Sequence, residues 1–138
     1  MDRLTPDQRS WNMGRIRSRN TRPERFVRSV LHGLGLRFRL HLALLPGTPD
    51  IVLSKWRTAI FVHGCFWHRH FDCKFAYMPK SRLSFWKKKF QANVERDAAH
   101  RGTLRTLGWR VIVVWECETR KPAQLRSRLR RLFPKSCR

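Results

Sequence analysis

Residues 45–64 read LPGTPDIVLSKWRTAIFVHG, and the order of residue types along them decides the fold. Ile51-Val-Leu53 and Ala59-Ile-Phe-Val62 are short apolar runs of the kind that make buried strands. The polar link from Ser54 to Thr58 joins them as a hairpin. Ahead of the first strand, Pro46, Gly47 and Pro49 form a tight approach to Asp50. An acid therefore opens one strand, and a histidine, His63, ends its neighbour.

Outward from this hairpin, the elements alternate. Thr21-Arg-Pro-Glu24 is a capping-box start; Phe26, Val27, Val30, Leu31 and Leu34 then follow at helical spacing until Gly35. Leu36 to Leu40 reads as a strand. Ser84 to Leu107 reads as one long helix, or two abutting, with Phe85, Trp86, Phe90, Val94 and Leu104 on or near one stripe and Gly108 as its stop. Trp109 to Trp115 is a strongly apolar strand, and Leu125 to Phe133 a short basic helix. An earlier helix starts at Thr5 with Pro6 behind it and carries Trp11, Met13 and Ile16 among arginines, as an arm would. The order α-β-β-β-α-β-α after this arm predicts an α/β layer structure. One domain spans 1–138, with an N-terminal arm over 1–20 and a basic C-terminal helix or tail over 118–138.

The chain carries 31 Lys and Arg against 9 Asp and Glu, a net charge of +22. Such a field draws a polyanion, nucleic acid first; a membrane-surface or ribosome-associated protein is the blander alternative. No run of about 18 apolar residues is present to span a bilayer, and MDRLTPDQRSWNM has no apolar signal core. A reducing setting, cytosolic (cytoplasmic) or nuclear, is expected, and the cysteines at 65, 73, 117 and 137 are better read as metal ligands or free thiols than as disulfides. With so few acids, one retained at a buried position needs a reason such as helix capping or binding Mg²⁺.

Directly after the second strand of the hairpin comes HGCFWHRHFDC, residues 63–73. Cys65, His70 and Cys73 are spaced C-x4-H-x2-C, and Cys117, just past a strand end, supplies a fourth ligand. Three Cys and one His make a closed, structural zinc set. Cys137, in the tail, is left out. Zinc deaminase chemistry is disfavoured, because the H-x-E and P-C-x-x-C pair is absent. His63 and His68 remain for proton transfer. Each alone is more often a satisfied polar residue; the pair beside an acid in a basic protein shifts the balance toward catalysis. Pro-Asp followed on the next strand by acid-x-Lys is the metal-binding pattern of many nucleases. Here Phe61-Val-His63 occupies the second position, so Asp50 either binds Mg²⁺ with help from a backbone carbonyl and a DNA phosphate or only caps a turn, and spacing does not choose.

PGTPD (46–50), FVHGCFWHRH (61–70), NVERD (93–97) and LGWRVIVVWEC (107–117) together closely resemble the very-short-patch repair (Vsr) DNA mismatch endonucleases, in order from about Arg9 to Cys117. The resemblance implies a restriction-endonuclease-like fold of the PD-(D/E)XK type: a mixed sheet flanked by helices, with a structural zinc. It implies a Mg²⁺-dependent nick 5′ to the mispaired thymine of a T·G pair, as arises when 5-methylcytosine deaminates. By position, Asp50 and the backbone carbonyl of Val62 are implied to hold Mg²⁺, where the family usually has Thr in place of Val62. His68 resembles the residue that activates water, and His63 a second catalytic histidine. Glu24 and Asp97 match acids around the same site. The zinc ligands carry over as Cys65, His70, Cys73 and Cys117, with a slightly longer gap before Cys73. Phe66, Trp67 and Trp86 are implied to wedge into the base stack from the major groove, and Met13 and Ile16 to approach from the minor groove. The physics is sound, since a ring stacked on a base is worth about 1–3 kcal/mol and a mismatched step opens at lower cost. Phe85, Phe90, Trp11, Trp56, Trp109 and Trp115 are read as packing. Arg9, Arg15, Arg17, Arg19, Lys87, Lys88 and Lys89 are read as phosphate contacts, which give affinity rather than sequence choice.

The partners expected are double-stranded DNA carrying T·G and, by resemblance, a MutL-type mismatch-repair protein; the chain is expected to act as a monomer at the bacterial nucleoid. Two rivals stay open: a related nuclease with another DNA specificity, and a non-catalytic zinc module that binds nucleic acid.

Overall fold

The computed structural model describes residues 20–134. The expectations that fall on the N-terminal arm (Arg9, Trp11, Met13, Arg15, Ile16, Arg17 and Arg19) and on Cys137 lie outside the described residues. The described chain runs α1 (Arg22–Gly33), β1 (Arg39–Leu40), β2 (Ile51–Leu53), β3 (Thr58–His63), α2 (Leu83–Thr106), β4 (Arg110–Trp115) and α3 (Pro122–Leu132), with short 3-10 turns at Ser54–Trp56 and Glu116–Arg120. The expected order of elements holds. Among the described residues no helix is long and apolar enough to cross a membrane.

The four strands form a mixed sheet in the order β1-β2-β3-β4. The first two pairings are antiparallel, with Ile51 opposite Ile60. β3 and β4 are parallel, aligned from Thr58 opposite Arg110 to His63 opposite Trp115, and α2 is the crossover between them. The hairpin turns through the 3-10 segment and Arg57, which takes the left-handed conformation at φ 46°.

Side chains alternate along the strands, as the pleat requires, and both faces of the sheet are covered. Ile60, Ile112 and Val114 face α1 and α3, packing with Val27, Leu31, Leu125 and Leu129. Ala59 and Phe61 face the other way, toward Leu104 of α2, with Val111, Val113 and Trp109 beside them. Each fully buried Leu or Ile here contributes about 1.5–3 kcal/mol.

The chain departs from the sequence expectations in four places. The strand expected over 36–40 pairs only at Arg39–Leu40, because Leu36 and Phe38 turn inward against the α1–α3 core. The last helix starts earlier than Leu125, at Pro122 in its first turn. Phe85, read as packing, is 37% exposed, and Val94 is 43% exposed. The cause is that only the C-terminal part of α2, through Leu104, reaches the sheet; its N-terminal half lies over the loop that follows β3. Finally, the capping box on α1 is displaced by one residue. Thr21 Oγ1 accepts from the Glu24 N–H at 3.3 Å, but the Glu24 carboxylate reaches back to the Asn20 N–H at 2.7 Å rather than to Thr21.

Candidate active site and metal centre

Parallel pairing of β3 with β4 builds the thiol cluster. His63 and Trp115 are partners, so Cys65 and Cys117, each two residues further on, emerge side by side at the same end of the sheet. The Cys117 N–H donates to Cys65 Sγ at 3.4 Å. The loop then doubles back through Arg69 and Asp72, both in the left-handed region at φ 53°, and returns His70 and Cys73 to the cluster. His70 Nδ1 lies 3.7 Å from Cys65 Sγ and 3.4 Å from Cys117 Sγ, and the four ligand atoms all fall within 4.8 Å of one another. A tetrahedral site with ordinary Zn–S and Zn–N bonds has edges of about 3.6 Å, so the residues fit a four-coordinate metal. Burial pushes the Cys65 thiol up to about 12, so a cation is what would make it a thiolate at neutral pH. Trp115 stacks on His70 at 4.2 Å and 11°, which holds the ring.

Arg69 is a second fastener that the sequence did not announce. Its guanidinium donates to the carbonyls of Phe66 (3.1 Å), Tyr77 (3.0 Å) and Ala76 (2.7 Å), and lies 4.0 Å over the Phe90 ring.

The other histidines of the same stretch face a different way. His63 is 5% exposed and stacks on His68 at 3.8 Å and 7°. His68 Nδ1 meets Asp97 Oδ2 at 2.5 Å, and the three side chains form one group of mutually close donors. A carboxylate on Nδ1 favours the tautomer that carries its proton there, which makes Nε2 the acceptor. Burial raises the Asp97 carboxyl, but the His68 hydrogen bond, with the charges of His68, His63 and Arg96, outweighs it and holds Asp97 below its usual value.

Asp50 forms a second acid–histidine group with Glu24 and His41. The Val62 N–H donates to Asp50 Oδ2 at 2.7 Å; on a strand a residue's N–H and C=O point to the same side, so the Val62 carbonyl shares that side. Burial, as the largest cause, pushes Asp50 up to about 6; the Val62 N–H lowers it, and the nearby Glu24 charge raises it. Glu24 is 2% exposed and pairs with Arg28 at 3.0 Å and with the His41 ring. His41 was missed in the sequence, where it stands alone in a leucine-rich run with no spacing to connect it to Glu24.

One cleft of about 1060 Å³ gathers Glu24, Asp50, His63, His68 and Asp97, with Arg22, Arg25, Lys89, Arg96 and Arg101 also lining it. Carboxylates and imidazoles lie among cations, the balance needed to hold a divalent metal against a phosphate. Of these cations only Lys89 was expected.

The rings beside the cleft are less bare than the sequence reading implied. Trp67 is 8% exposed, and its carbonyl accepts from Asn93 Nδ2 at 3.2 Å. Phe66 and Trp86 are half-buried, and Phe66 packs edge-on against Trp67, Trp86 and Phe90 at 5.1–5.7 Å. Lys87 and Lys88 are exposed on α2.

Comparison with known proteins places the chain in a family. The family model described as DNA mismatch endonuclease Vsr matches residues 1–74. The chain is 51% identical over 135 residues to the type II nicking enzyme V.XorIIP of Xanthomonas oryzae pv. oryzae, covering 98% of each chain. It is 45% identical to the type II nicking enzyme V.NmeAIP of Neisseria meningitidis, over 95% of this chain and 93% of that one. To the protein named DNA mismatch endonuclease Vsr of Escherichia coli it is 48% identical over 112 residues, 81% of this chain and 71% of that one.

Proposed function

The chain belongs to the Vsr DNA mismatch endonuclease family and is a mismatch-directed nicking endonuclease of DNA, and we propose that its substrate is the T·G pair left by deamination of 5-methylcytosine, cut 5′ to the thymine. The observation that carries the mechanism is the His68–Asp97 hydrogen bond within the same cleft as Asp50. His68 Nε2 takes the proton of the attacking water, while Asp97 on Nδ1 fixes the tautomer and stabilises the imidazolium that results. His63, stacked against it, keeps the ring in plane. Asp50 and the Val62 carbonyl hold a divalent cation, proposed to be Mg²⁺, which when bound neutralises charge on the scissile phosphate. Cys65, His70, Cys73 and Cys117 hold a structural metal, proposed to be Zn²⁺, which stiffens the loop bearing Phe66 and Trp67.

Pro49-Asp50 at the start of β2, with Phe61-Val62-His63 at the end of β3, supports reading the sheet as a restriction-endonuclease-like core with His63 where a lysine would stand. Opening of the Phe66–Trp67–Trp86 cluster is then part of DNA binding, because a buried Trp67 reaches a base step only when its packing against Phe66 and Trp86 is released. A nick needs one active site, so the protein acts as a monomer; docking of a MutL-type protein is a further part of this reading.

The test is strand nicking of an end-labelled duplex with one T·G pair, beside matched T·A and C·G duplexes, with and without Mg²⁺. Mg²⁺-dependent cleavage next to the T of T·G alone is the expected result. Equal cutting of the matched duplexes would keep the nuclease and remove mismatch selection.

A further inference from the structure

His41 is placed with some care for a residue with no expected role. β1 ends at Leu40, opposite Ile51, and the next residue, His41, takes φ 48°, a left-handed conformation that a histidine adopts at some cost. Its own N–H donates to the Asp50 carbonyl at 3.1 Å, which pins its backbone to the residue that opens β2. The ring thereby meets Glu24 through Nε2, and donor atoms of Glu24, His41 and Asp50 lie within 4.8 Å of one another. A cation with bonds near 2.1 Å needs donors about 3 Å apart in cis positions and about 4.2 Å apart in trans, so small side-chain movements close the set. Arg28, on Glu24 at 3.0 Å, balances one of the two carboxylates.

We propose that Glu24 and His41 join Asp50 and the Val62 carbonyl in holding the cation, making a mixed nitrogen–oxygen site that binds Mn²⁺ in preference to Mg²⁺. This rests on the reading that Asp50 holds the catalytic cation. Mg²⁺ favours oxygen donors and retains its waters, whereas Mn²⁺ stands higher in the affinity order and accepts imidazole more readily. The thiol cluster does not compete, since thiolates are poor ligands for Mn²⁺.

The experiment is an electron paramagnetic resonance titration of the zinc-loaded full chain with Mn²⁺, followed by pulsed measurement of ¹⁴N coupling to the bound ion. His41→Asn is the central variant, because Asn tolerates the left-handed conformation. His63→Ala controls for the histidine next to Val62, and Asp50→Ala tests the premise. The proposal expects ¹⁴N coupling in the wild type and in His63→Ala, and its loss in His41→Asn with Mn²⁺ affinity lower by about tenfold or more. Mg²⁺ affinity, measured by competition, should fall less than Mn²⁺ affinity in the same variant. Unchanged coupling or unchanged Mn²⁺ affinity in His41→Asn overturns it, even where Asp50→Ala abolishes binding. Mn²⁺ bound as tightly by Asp50→Ala as by the wild type overturns the premise and the proposal together.

Discussion

The two faces of the loop that follows β3 use the same residue type for opposite ends. On one face His70 joins Cys65, Cys73 and Cys117, with Trp115 stacked behind it. On the other, two residues earlier, His68 meets Asp97 and stacks on His63. Neither imidazole is special in itself; its partners decide. Thiolates around a histidine make a closed metal set that contributes folding energy. A single carboxylate behind a histidine occupies one ring nitrogen and leaves the other without a second ligand of its own kind, free to serve proton transfer in the proposed reading. The short interval between them also explains the fasteners. Arg69 sits between His68 and His70 and ties the loop to three carbonyls, bracing the segment that carries both faces.

The largest effect should come from the thiol face. Cys117→Ala removes a ligand from the set that joins the ends of β3 and β4; metal ligation of this type is worth several kcal/mol of folding free energy. The expected outcome is loss of bound zinc and a fall in melting temperature of about 10 °C or more, read by metal analysis and thermal melts. A protein with unchanged melting would mean that the faces do not differ as argued.

On the cleft face, effects should fall on rate and spare the fold. Asp50→Ala is expected to lower single-turnover nicking by at least about 10³-fold while the zinc content stays at the wild-type level. Asp97→Asn keeps a hydrogen-bonding group beside His68 but removes its charge, and should lower the rate by about 10- to 100-fold. Loss of zinc in either variant would join the two faces into one structural unit.

The smallest effect is one of sign. Asp50 is raised from 3.8 to about 6 in the folded chain, so the folded state holds that proton more tightly than the unfolded one. Stability from this group is therefore greatest below about pH 4 and is lost as pH rises through about 6. Without divalent cations, Asp50→Asn should be more stable than the wild type at pH 7 by on the order of 1–3 kcal/mol, with the gain vanishing near pH 4. Denaturant melts at the two pH values check this; a gain equal at both would remove burial of the charge as the cause.

Much of this arrangement is legible in the chain itself, and the illegible parts share a cause. The hairpin strands, the β4 strand and the C-x4-H-x2-C spacing can be read because local apolar runs and short ligand intervals carry the signal. His41 cannot, since its partner Glu24 lies on another element and only the β1–β2 register brings Asp50 beside it. Arg22, Arg25, Arg96 and Arg101 look like ordinary surface charge until the fold turns them toward one cleft. Phe85 and Trp67 exchange their expected environments for a related reason. Which side of α2 faces the loop depends on the Arg69 and Asn93 contacts, and the hydrophobic stripe read along the helix does not announce them.

The division between the two faces is tested most directly by bound zinc and single-turnover T·G nicking measured together in His68→Ala and His70→Ala. His68→Ala is expected to retain its zinc and its melting temperature while nicking falls by about 10²- to 10⁴-fold; His70→Ala is expected to lose zinc and stability. Zinc lost from His68→Ala, or nicking retained by it at the wild-type rate, would contradict the assignment of the two histidines.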